Sequence, residues 1–250
     1  MKNAPLSRAR EAANGRSTMV LVQAGRHIVG SEEGSDAERP VREIELEAFW
    51  LDENLVTNEQ FASFARETGY ATFAERSGAA WGWHDGSFKN VPGLSWRSYA
   101  SRGRGRHPVV LVNWHDAKAY ADRSGKRLPT EWEWEVAAAG TGRSRYPWGE
   151  GAPDTIECNW RGSSANPPPT SEVGSYPANE GGLFDMVGNV WQWCENVFDA
   201  APDDLPELRA RRGGAWNVIQ DFRLRCANRG ALLATGVAPN LGFRCAMDFG

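Results

Sequence analysis

The alternation of apolar and polar positions predicts short strands in the first part of the chain. Residues 19–25 (MVLVQAG) and 26–30 (RHIVG) are apolar runs separated by a glycine, a pattern typical of two short strands around a turn. Residues 42–57 (REIELEAFWLDENLVT) begin with alternating polar and apolar side chains, which indicates a half-buried strand. We therefore expect β-structure ahead of the first helix.

Three helices are predicted from the residues at their ends. Each begins at a Thr or Asn whose side chain can accept a hydrogen bond from the first turn. Each ends at a glycine, which adopts the left-handed conformation of a helix C-terminus at little cost. The predicted helices run from Thr57 to Gly69, from Asn113 to Gly125 and from Thr130 to Gly140.

Outside these elements the chain is rich in turn residues and in large aromatic side chains. Its 250 residues include 27 glycines, 14 prolines and 12 tryptophans, which favours short elements, ordered loops and an indole-rich interior. Residues 70–110 carry few regular signals, and no linker divides the chain. Residues 1–17 are polar and are predicted to be disordered, so we expect one α+β domain over residues 18–250.

Charge and hydropathy argue against several kinds of partner. The 28 Lys and Arg against 32 Asp and Glu give a net charge of −4, which offers no footprint for a nucleic-acid backbone. The chain contains no apolar run of the ~18 residues that a membrane span needs, and residues 1–19 lack the apolar core of a secretory signal. The four widely spaced cysteines are predicted to be free thiols in a reducing, cytoplasmic compartment.

Several segments, in the same order, resemble the formylglycine-generating enzyme family, also called the sulfatase-modifying-factor family. They include VNWHDAKAYADRSGKRLPTEWEWEVAAAG (112–140), VGSYPANEGGLFDMVGNVWQW (173–193), RRGGAWN (211–217) and APNLGFRCAMD (238–248). The resemblance covers roughly residues 19–248. It implies a single elaborated C-type-lectin-like domain with little regular secondary structure.

The resemblance fails at the residues that give the family its name. It implies two cysteines that bind copper(I) and activate oxygen, and copper(I) selects such soft thiolate ligands. Counting forward from the Gly-Gly pair places Val218 at the first cysteine, and counting back from Cys226 places Asp221 at the second. The sequence therefore predicts a member that does not generate formylglycine.

Two residues are candidates for catalysis. Asp221, near the position of the missing cysteine, is a candidate general base or carboxylate ligand; alternatively, it is a loop carboxylate paired with Arg223 or Arg225. His84 lies in the Trp-rich segment WGWHDG, where the resemblance places a substrate groove. The alternative for His84 is an ordinary surface or packing residue.

The resemblance also supplies candidates for a small-molecule groove. A guanidinium suits carboxylates and an indole stacks on flat rings, so the candidate set predicts a small planar substrate. In the alternative interpretation the arginines pair with nearby carboxylates and the central tryptophan belongs to the core. The candidates are Trp96, Arg97, Trp216, Asn217, Arg225 and Arg229.

Metal sites are implied by the resemblance alone. Structural calcium is expected at Asp185, Gly188, Val190 and Gln192, with a second site beginning at Asn159. Oxygen ligands of this kind suit calcium. Whether iron or copper is bound stays open, because the sequence shows no complete set of histidine and carboxylate ligands for a redox metal.

Two functions follow from these observations. The first is an oxygen-dependent oxidoreductase that tailors a small molecule in a biosynthetic pathway, such as a natural-product pathway, as the resemblance implies for members without the cysteine pair. The alternative is a non-catalytic accessory protein that keeps the fold and binds a ligand or a protein. The sequence leaves the substrate and the oligomeric state open.

Overall fold

The computed structural model describes residues 7–11, 17–84, 87–101, 103–154, 156–162, 169–199 and 207–250. The strands are β1 (Ser7–Glu11), β2 (Thr18–Val22), β3 (Gly25–Val29), β4 (Arg42–Leu46), β5 (Phe49–Asp52), β6 (Ala79–His84), β7 (Ser87–Pro92), β8 (Trp191–Val197), β9 (Leu208–Arg212), β10 (Arg229–Leu233), β11 (Leu241–Gly242) and β12 (Ala246–Asp248). The helices are α1 (Asn58–Thr68), α2 (Phe73–Ser77), α3 (Trp96–Tyr99), α4 (Trp114–Arg123) and α5 (Glu131–Ala139), with 3₁₀ turns at Asp36–Glu38 and Asp221–Leu224.

Two four-stranded sheets and two hairpins organise the chain. One sheet has the order β1-β2-β5-β12 and joins the two ends of the domain. The second has the order β10-β9-β8-β11, with β8 and β11 parallel and the other pairs antiparallel. The hairpins are β3–β4 and β6–β7. The second sheet and the hairpin β6–β7 together position the candidate site.

The three helices predicted from their end residues are confirmed. Helix α1 has Thr57 as its N-cap and ends at Gly69, which has φ of 69°. Helix α4 is capped by Asn113, and α5 is capped by Thr130 and ends at Gly140. Each N-cap side chain accepts a hydrogen bond from the third residue of its helix, as a capping box requires.

The predicted early strands are also present, although consecutive strands enter different sheets. The segments 19–25 and 26–30 contain β2 and β3, and β2 lies between β1 and β5 while β3 pairs with β4. Four of the five residues of β2 are buried, whereas β3 alternates between partly buried and exposed positions until its last residue. A strand buried on both faces belongs inside a sheet, and an alternating one suits a two-stranded ribbon.

Part of the segment 1–17 belongs to the first sheet. Ser7–Glu11 pairs antiparallel with β2 and covers an edge that β2 would otherwise leave unpaired. Residues 1–6 and 12–16 lie outside the described residues, so the predicted disorder stays a prediction for them.

Residues 70–110 contain more regular structure than their pattern predicts. They form α2, the hairpin β6–β7 and the single turn α3. The hairpin pairs His84 with Ser87, and the sequence has Asp85-Gly86, which lie outside the described residues, between them. Asp-Gly between two strand-forming runs is a strong hairpin signal.

Indole and phenyl rings fill much of the core, as the composition predicts. Phe61 stacks with Tyr120 at a centroid distance of 5.9 Å, which joins α1 to α4. Trp134 is fully buried, and its Nε1 donates to Gln192 Oε1 at 2.9 Å. Buried indoles need such a partner for the N–H. No described helix is both long and apolar enough to cross a lipid bilayer.

Candidate functional site

A cleft of about 690 Å³ lies between the hairpin β6–β7, the loop 217–220 and the sheet β10-β9-β8-β11. We call it the Trp83 cleft. It is lined by Trp81, Trp83, Phe88, Arg161, Trp191, Arg211, Asn217, Val218, Ile219, Gln220, Arg223, Leu232, Leu233, Gly236, Val237, Ala238 and Asn240. Its volume falls in the range of ordinary small-molecule sites.

One wall of the cleft is aromatic. Trp83 meets Phe88 edge to face at a centroid distance of 4.9 Å, and it meets the buried Trp216 at 5.9 Å in the same manner. Such contacts fix the orientation of the Trp83 ring. Trp81, on the same face of β6, is 54% exposed. The wall therefore offers flat apolar surface to a ligand.

The floor of the cleft contains an amide pair. Asn240 Nδ2 donates to Asn217 Oδ1 at 2.9 Å, and both residues line the cleft. Asn240 is 6% exposed, and its Oδ1 is buried with no hydrogen-bond partner among the described residues. An unpaired buried acceptor is costly, so a ligand donor that reached this oxygen would stabilise the site.

Arg211 brings positive charge into the cleft. Its guanidinium carbon lies 4.7 Å from the centre of the Trp191 ring. Burial, and then the charge of Arg223, lowers the pKa of Arg211 to about 10. Arg211 Nε is buried and has no hydrogen-bond partner within the described residues. An arginine in this setting is stabilised by an added anion.

The neighbouring arginine of β9 faces the opposite way and forms a buried ion pair. Arg212 is 0% exposed, and its Nη2 lies 2.5 Å from Glu135 Oε2 of α5. Its Nη1 also donates to the carbonyls of Cys226 and Asn228, both at 3.1 Å. Successive strand residues point to opposite faces, so Arg212 anchors the sheet to α5 while Arg211 faces the cleft.

Of the groove residues predicted from the sequence, Asn217 lies in the cleft. Trp216 lies behind the cleft wall and is 4% exposed; its Nε1 donates to Pro239 O at 3.4 Å. Arg225 Nη2 binds the buried Glu38 carboxylate at 2.7 Å, and it lines a separate cavity of about 320 Å³. Arg229 Nη2 binds Glu131 Oε1 at 2.7 Å. For both arginines the structure matches the alternative in which they pair with carboxylates.

Trp96 and Arg97 are not brought into the cleft. Trp96 is 1% exposed, and its Nε1 donates to Glu75 Oε2 at 3.1 Å. Arg97 Nε donates to the other oxygen of Glu75 at 2.6 Å and its guanidinium lies over the Trp96 ring. Glu75 also caps α2, so one carboxylate draws both side chains toward that helix and away from the cleft.

Asp221 is exposed and lies beside the cleft. It opens the 3₁₀ turn at residues 221–224, and its neighbours Gln220 and Arg223 line the cleft while Asp221 does not. Arg223 Nε donates to Gln220 Oε1 at 3.2 Å, and the described residues contain no ion pair between Asp221 and Arg223 or Arg225. After burial, the charge of Asp221 is the second cause that raises the pKa of Tyr146.

His84 is the last residue of β6, the strand that carries Trp81 and Trp83 into the cleft. Its side chain lies outside the described part of the chain. A catalytic role for His84 therefore stays a prediction.

The residues expected to bind calcium are engaged in hydrogen bonds within the protein. Gln192 Oε1 accepts from Trp134 and from Arg244 Nε, and Gln192 Nε2 donates to Asp185 O. The Asp185 carboxylate accepts from Gly174 N at 2.8 Å. Gln192 Oε1 already accepts two hydrogen bonds and has no lone pair left for a cation, whereas the Asp185 carboxylate keeps acceptor capacity beyond the bond from Gly174.

The other residues expected to bind calcium are buried or make hydrogen bonds within the protein. Val190 is fully buried, and Gly188 N donates to Gly213 O at 2.8 Å. Asn159 Nδ2 donates to Pro169 O at 3.0 Å, while its Oδ1 is buried without a partner among the described residues. Calcium at either place stays a prediction of the resemblance.

Thiol and metal chemistry find little support in the described residues. All four cysteines are free, as predicted; they are also buried, and burial raises the pKa of each thiol. None of them lines the Trp83 cleft, and Val218 stands there instead. Among the described residues, three or more His, Cys, Asp or Glu side chains do not converge to hold a metal ion. The described donors thus do not fit iron or copper.

Comparison with known proteins decides the family. A family model described as the sulfatase-modifying factor enzyme 1-like domain matches residues 5–249. The chain belongs to this sulfatase-modifying factor family. It is 37% identical to the formylglycine-generating enzyme of Streptomyces coelicolor, covering 95% of this chain and 92% of that protein. It is 35% identical to the inactive C-alpha-formylglycine-generating enzyme 2 of Bos taurus, over 96% and 91%.

Further comparisons place this sulfatase-modifying factor domain in longer chains and in a known fold. The chain is 38% identical to the serine/threonine-protein kinase pkn1 of Chlamydia caviae, of which it spans 37%. The structure of PvdO from Pseudomonas aeruginosa superposes with a TM-score of 0.75 at 24% identity, covering 99% of this chain and all of the other. The predicted fold, a single α+β C-type-lectin-like domain, is confirmed.

Sequence reasoning missed most residues that line the cleft of this family member. Arg211 carries one signal in the sequence, the alternation of LRARR, whereas its position opposite Gly230 follows only from the strand register of the structure. Trp191 carries a similar signal, because it begins the segment WQW, in which tryptophans occupy alternate positions. Asn240 carries no such signal, since its loop is brought to the cleft by tertiary packing.

Proposed function

We propose that this chain binds a small organic molecule in the Trp83 cleft and does not generate formylglycine. The observation that carries the proposal is the cleft itself, in which Val218 stands where the resemblance places the first reactive cysteine. Flat aromatic side chains form one wall, and the lining also includes Arg211 and Asn240, whose amide oxygen is unpaired among the described residues. Apolar walls with few polar groups that fix orientation are typical of small-molecule sites.

A second candidate is an oxidoreductase that tailors the bound molecule with oxygen. It is favoured by the overlap of the cleft with the region where the resemblance places the reacting thiolates, and by 37% identity over 95% of the chain to a protein named formylglycine-generating enzyme. In this candidate the chain's residues hold and orient the substrate. The oxidising group is supplied from outside the described side chains, since their thiols are buried elsewhere.

The binding function asks less of the described residues than the oxidoreductase does. It needs a cleft lined by polar groups with unused hydrogen-bonding capacity. Asn240 and Arg211 are such groups. A relative named inactive, at 35% identity, supports a role without catalysis. Binding is accordingly the function we put first.

The test uses 2-naphthamide, a flat neutral probe, in calorimetric titrations of the full chain. We expect the wild-type protein to bind it, and Trp83→Ala to weaken binding by about tenfold because a fixed aromatic wall is lost. Trp148→Ala is the matched control: Trp148 is also a partly buried indole that stacks on an aromatic ring, Tyr146, but it lies outside the cleft. Equal losses in both variants, or no binding to the wild type, would contradict the proposal.

The same preparation separates the two candidates. Protein purified without oxygen is desalted and its metal content is measured by elemental mass spectrometry, and oxygen uptake is followed after a probe is added. Iron or copper near one equivalent, with uptake, supports the oxidoreductase. Binding of 2-naphthamide without oxygen uptake supports the binding protein.

A further inference from the structure

We propose that the Trp83 cleft recognises a carboxylate, carried by a ligand with a flat apolar body, through Arg211 with Arg223 beside it. This inference rests on the proposed function and assigns the ligand class of the same cleft. It is carried by three observations: an arginine without an acidic partner, a second positive charge next to it, and a packing arrangement that makes room for both.

Arg211 differs from the other two arginines of its strand. Arg212 pairs with Glu135, and Arg209 forms an ion pair with Glu207. Arg211 has no ion pair with a described carboxylate, and this distinguishes it, because the Nε atoms of all three arginines lack a hydrogen-bond partner among the described residues. Since buried charges are normally paired, an anion from outside the chain is the partner that the site lacks.

The positive charge of Arg223 beside Arg211 also favours the binding of an anion. Arg223 also lines the cleft, and its charge lowers the pKa of Arg211 after the larger effect of burial. Two guanidinium groups that repel each other are both stabilised when one carboxylate lies between them. The planar fork of a guanidinium matches the two oxygens of that carboxylate.

The packing around Arg211 keeps space for its side chain. Gly230 lies directly opposite Arg211 in the register of β9 and β10. A Cβ at Gly230 would lie 3.3 Å from Arg211 Nε and 3.4 Å from the Trp191 ring, which is tight. The glycine therefore leaves the guanidinium free to rest on the indole and to face the cleft.

The rest of the cleft suits a body with one negative charge. The wall of Trp83 and Phe88 is apolar, and desolvating a single charge there costs less than desolvating the double charge of a phosphate ester. The free Oδ1 of Asn240 adds a place for a ligand donor, such as a ring N–H or hydroxyl. The geometry thus favours an aromatic carboxylate.

The experiment compares 2-naphthoate with 2-naphthamide, which has the same shape and no charge, by calorimetric titration of the full chain. We expect the wild-type protein to bind the carboxylate about tenfold more tightly. Arg211→Met, which keeps the length of the stem, should remove that preference and change the affinity for the amide by less than about twofold. Arg211→Lys, which keeps the charge without the fork, should retain part of it.

The control is Arg97→Met, because Arg97 is likewise an arginine over an indole ring but lies outside the cleft. It should leave both affinities unchanged, and thermal unfolding of each variant shows whether it folds. Equal binding of the two probes to the wild type overturns the carboxylate inference and leaves the binding function in place. Tighter binding of 2-naphthyl phosphate than of 2-naphthoate also overturns it, and no binding of any probe overturns both.

Discussion

Arg225 Nη2 lies 2.7 Å from Glu38 Oε2, and the two residues are 187 positions apart in the chain. The side chains are 8% and 0% exposed, so the ion pair is fully buried. It connects the 3₁₀ turn at Asp36–Glu38 to the residue that follows the second 3₁₀ turn, Asp221–Leu224. Arg225 therefore belongs to the scaffold behind the site.

Replacing one partner of this pair leaves a buried charge alone. We expect Arg225→Met to lower the free energy of unfolding by about 3–5 kcal/mol, measured by urea denaturation. The control Arg97→Met breaks the pair with Glu75, in which the arginine is 58% exposed, and should cost less than about 1 kcal/mol. A comparable small loss for Arg225→Met would show that the buried pair contributes nothing. Combining it with Glu38→Gln should recover part of the loss.

The four thiols should be unreactive in the folded protein. All are buried, and burial raises the pKa of each, so little thiolate is available to attack a disulfide reagent. We expect 5,5′-dithiobis(2-nitrobenzoate) to report no fast thiol at mildly alkaline pH and all four after unfolding in guanidinium. Ile219→Cys, at a position 55% exposed in the cleft, should add one fast thiol. A fast thiol in the wild type is the result that would falsify this placement.

Stability should fall as the solution becomes mildly acidic. Burial lowers the pKa of His27 and of His107, and the charge of Arg104 adds to the effect at His107. The unfolded chain takes up protons as the pH falls through about 6.5, while the folded chain resists them, so folding becomes less favourable. The expected loss is therefore absent above that pH and grows below it.

The pH dependence is checked by urea denaturation at about pH 7.5 and about pH 5.5, above and below the ordinary histidine pKa. The double variant His27→Gln/His107→Gln should lose less stability between these two values than the wild type. His115→Gln, at an exposed position, is the control and should behave like the wild type. Equal slopes for the double variant and the wild type would rule out these two histidines as the cause.

Removing calcium should not change the melting temperature. Gln192 Oε1 accepts from both Trp134 and Arg244, so its lone pairs are used, and the Asp185 carboxylate that remains would leave most of the coordination sphere of calcium to be filled. We expect thermal melting curves in excess EGTA and in millimolar calcium to coincide. A melting temperature several degrees higher with calcium would restore the metal site that the resemblance implies.

Asp221→Asn tests the catalytic hypothesis for that residue. Asp221 is exposed and does not line the cleft, so its replacement should change 2-naphthoate affinity by less than about twofold. Asp36→Asn, also an exposed carboxylate at the start of a 3₁₀ turn, is the control. A much larger effect of Asp221→Asn, on binding or on any oxygen uptake, would return Asp221 to the mechanism.

The features that sequence reasoning predicted well are local ones. Thr57, Asn113 and Thr130 cap helices as expected, because a capping box is closed by residues three positions apart. The fold followed from several segments in one order, which a resemblance detects without any knowledge of side-chain contacts. Both kinds of signal can be detected from the order of the residues in the sequence alone.

The candidate site depends on contacts between distant residues, and here the sequence was a poor guide. Arg225 pairs with Glu38, and Trp96 and Arg97 share Glu75, none of which their own segments reveal. Arginines look alike in sequence, and the presence or absence of a carboxylate across the fold decides which one is free. In β9 the strand register places Arg212 beside Glu135 and Arg211 in the cleft.

Arg211 and Arg212 are adjacent in sequence, yet a substitution at each should have a different consequence. Arg212 is paired with Glu135 of α5, so its loss should damage folding. Position 211 lines the cleft without such an ion pair, so a substitution there should change ligand binding more than folding. Evolution could thus alter what the protein recognises by exchanging one side chain while its immediate neighbour stays fixed.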